Sequence, residues 1–153
     1  MATYFCDTSA VVKRYVTETG SAWLMTTINP KVGNYVFIAR ITFVEVFSAI
    51  SRKERGGHIS VTDAAIAKKQ FETDYSGEFV SVEIAETLIL EAAKLAEKHA
   101  LRGYDAVQLA AVLQTQAKRA ARNLPPLTLL SADTDLNAAA ISEGLTVDNP
   151  NNH

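Results

Sequence analysis

The stretch Thr3-Tyr4-Phe5-Cys6-Asp7-Thr8-Ser9-Ala10 decides how this chain is read. Four residues that favour extended backbone run into an aspartate and two hydroxyl side chains. Ala10, Val11, Arg14 and Tyr15 then follow at helical spacing. The pattern predicts a short strand over residues 3–6 that passes directly into a helix, with Asp7 or Thr8 as its cap. It recurs near the other end, where Leu127-Thr128-Leu129-Leu130 meets Ser131-Ala132-Asp133 and a helical pattern through residue 143.

Between these two units, strand candidates at residues 35–38 and 79–82 alternate with helix candidates at 22–28, 42–54, 62–74, 84–99 and 105–121. Thr42 is placed to cap the third helix and Gly56-Gly57 to close it, while Asp105 opens a later helix after the Gly103 break. Gly144 stops the last helix before a short strand at 145–147. Such alternation predicts an α/β fold, a three-layer α/β/α sandwich around a mainly parallel central sheet. No repeat or linker divides the chain. Residues 1–148 are expected to form one domain, and the polar residues 149–153 a flexible tail.

The 153 residues suffice for one core, and 48% hydrophobic with 21% charged residues is ordinary globular composition. No apolar run approaches the roughly 18–20 residues of a membrane span. The first residues carry neither a basic leader nor a long apolar stretch, so a cytoplasmic location is expected. A net charge of −2 speaks against a protein that coats nucleic acid by bulk charge, while leaving room for a local basic rim. The single cysteine, Cys6, sits in an apolar strand and is expected to be a buried thiol.

Four acids stand out. Asp7, Asp105 and Asp133 each lie where a helix begins, and each alone reads as a helix cap. Their common placement changes the weighing, because in open parallel sheets the carboxyl ends of the strands face one ligand-binding crevice. Glu45 lies mid-helix among Phe43, Val44, Val46 and Phe47, where capping cannot explain it and a solvent-facing position is the plain alternative. Converging carboxylates repel, and a divalent cation removes the repulsion. His58, His99 and His153 are scattered and Cys6 stands alone, so no zinc spacing competes. An all-oxygen donor set points to Mg²⁺ or Mn²⁺ and suits phosphodiester hydrolysis, in which a metal-bound water attacks in line.

The motifs Phe5-Cys6-Asp7-Thr8-Ser9-Ala10, Thr42-Phe43-Val44-Glu45, Tyr104-Asp105-Ala106-Val107-Gln108-Leu109-Ala110 and Ser131-Ala132-Asp133-Thr134-Asp135-Leu136, in this order, resemble the PIN-domain nuclease family. The likeness spans nearly the whole chain and is strongest to the VapC-type toxins of prokaryotic toxin–antitoxin pairs. It implies a compact α/β/α fold, a Mg²⁺- or Mn²⁺-dependent endoribonuclease, a homodimer, and a cognate VapB-like antitoxin whose tail lies in or near the active-site groove. By the same resemblance Asp7, Glu45, Asp105 and Asp133 match the metal-binding, catalytic acids, and Ser9 matches a hydroxyl that supports the first of them. Asp133 and Asp135 share the claim to the fourth position. Asp133 is preferred because it directly follows the strand-end Ser131-Ala132, which leaves Asp135 in the helix's first turn.

RNA contact requires cations for phosphates. Lys13, Arg14, Arg40, Arg52, Lys53 and Arg102 flank the acidic motifs, whereas Lys118, Arg119 and Arg122 fall where they would complement a helix dipole. Trp23 and Tyr15 could stack on a base, although packing is the commoner role for both. Two further readings use the same features. One is a catalytically silent PIN-like module that binds RNA or protein. The other is a phosphotransfer receiver domain, which wants an early acidic pair and a late strand-end lysine; neither is present.

Overall fold

In a computed structural model that describes residues 1–153, the strands are β1 (Thr3–Cys6), β2 (Tyr35–Ala39), β3 (Val80–Val82), β4 (Thr128–Leu130) and β5 (Thr146–Asp148). The helices are α1 (Thr8–Tyr15), α2 (Ser21–Thr27), α3 (Thr42–Arg55), α4 (Val61–Gly77), α5 (Glu86–His99), α6 (Gly103–Ala120) and α7 (Thr134–Ser142). The sheet order is β3-β2-β1-β4-β5 and every neighbouring pair is parallel. The expected three-layer α/β/α sandwich is therefore the observed one.

Strand alternation explains the layers. Phe5, Ala39 and Leu129 face one side and pack with Leu88, Leu95, Leu109 and Leu136 of α5, α6 and α7. Their neighbours Cys6, Ile38 and Leu130 face the other side and pack with Val11, Leu24, Ile50 and Phe71 of α1–α4. With both faces covered, the central strands read as continuous apolar runs. Cys6 has no solvent exposure, and burial pushes its thiol far above the usual range. No helix is long and apolar enough to cross a membrane.

From β1 the chain builds outward through β2 to β3 and then returns to lay β4 on the other flank of β1. The boundary between β1 and β4 is thus the switch point at which open parallel sheets leave a crevice. The Asp7 amide donates to the Leu130 carbonyl at 3.2 Å and holds the two strand ends together there.

Several local expectations are corrected. Thr42 caps nothing: it is the first residue of α3, fully buried, while Ile41 occupies the cap position without a side-chain bond. Helix α6 begins at Gly103 rather than Asp105, with Arg102 at its cap, so Asp105 lies within the first turn and makes no cap bond. Apart from these corrections, the last residues make contacts with α2. Pro150–Asn152 forms a 3-10 turn, Pro150 is buried, and the His153 ring stacks on Trp23 at 3.9 Å between centroids. Gly20, at φ 83°, permits this docking because a Cβ there would collide with the Pro150 carbonyl.

Candidate active site

At the switch point a cleft of about 420 Å³ opens, and Asp7, Glu45, Asp105 and Asp133 all line it. They arrive from β1, α3, α6 and the end of β4, four elements far apart in sequence. Asp135 is exposed and does not line this cleft. The structure therefore separates the two aspartates of the last motif.

Capping and site placement prove compatible. Asp7 Oδ1 accepts from the Ala10 amide at 3.1 Å and from the Ser9 hydroxyl at 2.7 Å. Asp133 Oδ1 accepts from the Leu136 amide at 2.9 Å. Each carboxylate is thereby oriented through one oxygen, and the other stays outside these bonds. Ser9 caps nothing, since Asp7 is the cap of α1: its hydroxyl holds Asp7, and its Oγ accepts from the Ala132 amide at 2.9 Å and ties the first acid to the loop that carries the fourth. The Ser131 hydroxyl accepts from the Asp133 amide at 3.1 Å, and Asn137 Nδ2 donates to the Ser131 carbonyl at 2.8 Å.

Glu45 is neither a cap nor a solvent-facing residue. Its Oε1 accepts from the Thr8 hydroxyl at 3.0 Å and from Gln108 Nε2 at 2.9 Å. Gln108 is 2% exposed, and the same nitrogen donates to Thr42 Oγ1 at 3.0 Å. A carboxylate can only accept, so the amide nitrogen must face Glu45. The Gln108 oxygen is consequently buried without a partner. Sequence reasoning missed Gln108, whose one signal is its position a helical turn after Asp105, on the same face of α6.

The electrostatics show a site short of positive charge. Burial raises the Asp7 carboxyl from 3.8 to about 7; bonds from Ser9, Ala10 and Ser131 oppose the rise and the nearby Asp133 charge adds to it. Asp105 is raised to about 6, first by burial and then by Asp133, with Arg102 pulling the other way and Glu45 and Asp135 adding repulsion. No three acidic, histidine or cysteine side chains stand in an arrangement ready to hold a metal ion. The donor chemistry nonetheless fits a hard divalent cation: the acids offer only oxygen, and a bound cation would oppose the burial and mutual repulsion that raise two of them.

The cations divide into two groups. Arg52 and Arg102 line the cleft as exposed side chains outside any salt bridge. Lys13 also lines it but is buried, donating to the Thr19 carbonyl at 2.8 Å and to Glu18 at 3.4 Å. Lys53 pairs with Glu18, and Arg40 with Glu83. Arg14 turns away to Asp74 and Glu78, and Arg119 binds the Pro125 carbonyl. Neither aromatic candidate faces the cleft. Tyr15 packs edge-on to Phe71 and donates to Asp74 at 2.8 Å, and Trp23 is covered by His153.

The fold is shared with known proteins. The PIN domain profile matches residues 4–142. Ribonuclease VapC45 of Mycobacterium tuberculosis (strain CDC 1551 / Oshkosh) is 33% identical over 113 residues, which cover 74% of this chain and 76% of that one. The chain belongs to the PIN-domain family, among its VapC-type toxins. Among solved structures, PAE2754 from Pyrobaculum aerophilum superposes with a TM-score of 0.65 at 21% identity, covering 95% of this chain and 89% of that one. A toxin–antitoxin complex from Klebsiella pneumoniae gives a TM-score of 0.60 at 19% identity, covering 98% of each chain. At these identities the two structural likenesses speak for the fold.

Proposed function

We propose that this protein is a divalent-metal-dependent endoribonuclease and the toxin of a VapBC-type pair, cutting RNA at the carboxylate cleft. The observation that carries the reading is the convergence of Asp7, Glu45, Asp105 and Asp133 on one cleft rimmed by two unpaired arginines. Asp7, Glu45, Asp105 and Asp133 would hold Mg²⁺ or Mn²⁺, directly or through water. When bound, the ion lowers the pKa of a coordinated water and stabilises charge on the departing oxygen.

The chain's own residues have the remaining roles. Ser9 and the Ala10 amide fix the Asp7 carboxylate, and Thr8 with Gln108 fixes Glu45. Arg52 and Arg102 offer guanidinium groups to the RNA backbone on either side of the acids. Asp135, exposed in the first turn of α7, adds negative charge near Asp105 rather than a ligand. The Klebsiella complex supports a cognate antitoxin as partner. A homodimer and a cytoplasmic location complete the reading.

Cleavage of RNA by the purified protein should appear with Mn²⁺ or Mg²⁺ and vanish with EDTA. Asp105→Asn should abolish it while the far-ultraviolet circular dichroism spectrum is unchanged. RNA binding that is identical with EDTA or Mn²⁺, and never accompanied by cleavage, would replace this reading with that of a silent binding module.

A further inference from the structure

Beside the carboxylate cleft lies a smaller hollow of about 200 Å³, lined by Thr8, Val44, Glu45, Ser48, Arg52 and Tyr104. Thr8, Glu45, Arg52 and Tyr104 line both spaces, so the two are continuous. Val44, Ser48 and Arg52 are spaced four residues apart along α3 and form one stripe, apolar, then hydroxyl, then guanidinium. Tyr104 enters from the first turn of α6.

Two of these side chains offer apolar surface to the hollow. Val44 is 59% exposed and Tyr104 is 61% exposed, and neither packs into either core. An aromatic face and an aliphatic group at the edge of a polar, acidic cleft gain free energy when a ligand covers them. A ligand that is flat can lie on the tyrosine ring, and one with a polar edge can meet Ser48. One joined to an anion also suits the hollow, because it opens beside two free arginines. A nucleobase attached to its phosphate has all three features. Only a base freed from a helical stack can enter such a hollow.

Resting on the nuclease reading, we propose that this hollow is a subsite for one unstacked nucleobase of single-stranded RNA, stacked on Tyr104 beside the phosphate held at the carboxylate cleft. Tyr104 supplies the platform and Val44 the apolar wall. Ser48 meets the polar edge of the base, and Arg52 the phosphate joined to it. Because stacking tolerates every base, Tyr104 contributes affinity, and Ser48 is the residue placed to bias which base is preferred.

The test uses the full chain carrying Asp7→Asn, so that RNA stays intact. A single-stranded oligoribonucleotide is prepared with 2-aminopurine at each position in turn, and its fluorescence is followed during titration. Quenching is expected at one position, and not for the same sequence in a duplex. Adding Tyr104→Ala should remove the quenching and weaken binding roughly tenfold or more. Tyr104→Phe should preserve both. Sedimentation velocity should give one oligomeric state for all variants. Absence of quenching at every position, or its persistence in Tyr104→Ala, overturns the proposal. A changed oligomeric state in Tyr104→Ala does so too, by assigning Val44 and Tyr104 to a contact between copies. Cleavage is measured separately on the chain with Asp7 intact: site-specific quenching without any Mn²⁺-dependent cleavage would reject the nuclease reading and leave the base subsite standing.

Discussion

Replacing Asp7 with asparagine is expected to stabilise the metal-free protein at pH 8 while abolishing its activity. Asp7 is 4% exposed, and its carboxyl is raised from 3.8 to about 7 chiefly by burial. Between about pH 4 and pH 7 the folded protein therefore holds a proton that the unfolded chain has released. The stability contributed by that proton is fully present below pH ~4 and is lost as pH rises through about 7. At ~1.4 kcal/mol for each tenfold difference in proton affinity, the ceiling on this loss is roughly 4 kcal/mol. Asparagine keeps an oxygen for the Ala10 amide and the Ser9 hydroxyl and never ionises, so the variant should lack this pH dependence. Urea denaturation in EDTA at pH 5 and pH 8 measures the effect. The unsubstituted protein should lose about 1–3 kcal/mol over that interval through Asp7, because the part of the ceiling between pH ~4 and pH 5 is already lost at its start, and Asp7→Asn should retain it. Mn²⁺ at pH 8 should restore stability to the former and do much less for the latter, by mass action on a site that has lost one ligand. Parallel pH curves for the two proteins would refute the electrostatic account of Asp7, and equal stabilisation by Mn²⁺ would refute its place as a ligand.

Other perturbations probe the supports of the site. Gln108→Met retains volume but removes the donor to Glu45 and Thr42, and should cost about 1–3 kcal/mol in urea unfolding together with a fall in cleavage rate. Unchanged stability and rate would remove Gln108 from the site. Arg52→Ala and Arg102→Ala should each weaken RNA binding for all sequences alike and lower the salt slope by about 1, measured by titration at several ionic strengths. An unchanged slope would mean that the arginine meets no phosphate. Gly20→Ala should cost roughly 1–3 kcal/mol, from the left-handed backbone at φ 83° and from collision with the Pro150 carbonyl. The stacked Trp23 should report undocking of residues 150–153 by a change in fluorescence, and an unaltered spectrum with unaltered stability would contradict that packing.

Much of this architecture is legible in local pattern. Short apolar runs ending at Asp7 and at Ser131 are enough to locate β1 and β4, because a strand buried on both faces is written as a continuous apolar run. Glycines close α3 and α7, and Gly144 at φ 87° does so through a backbone conformation that L side chains rarely adopt. Helix starts were harder. Thr42 and Asp105 have the composition of caps, yet tertiary contacts claim both, with Thr42 accepting from Gln108 and Asp105 facing the cleft. Composition likewise cannot foresee that Trp23 offers His153 a surface to stack on.

By itself the sequence determined the kind of fold and the acids worth watching. Periodicity and capping chemistry are local, and Glu45 declared itself by sitting where no local rule needed an acid. Only the tertiary structure decided which acids meet. Placing β4 against β1 brings Asp133 to Asp7 across more than 120 residues of chain, and the first turn of α7 leaves Asp135 outside. Gln108 likewise reaches Glu45 only because the fold brings the N-terminal half of α6 to the first turns of α1 and α3. The free energy of a carboxylate depends on how much water remains around it and which charges face it. Those quantities exist only after distant segments have been brought together.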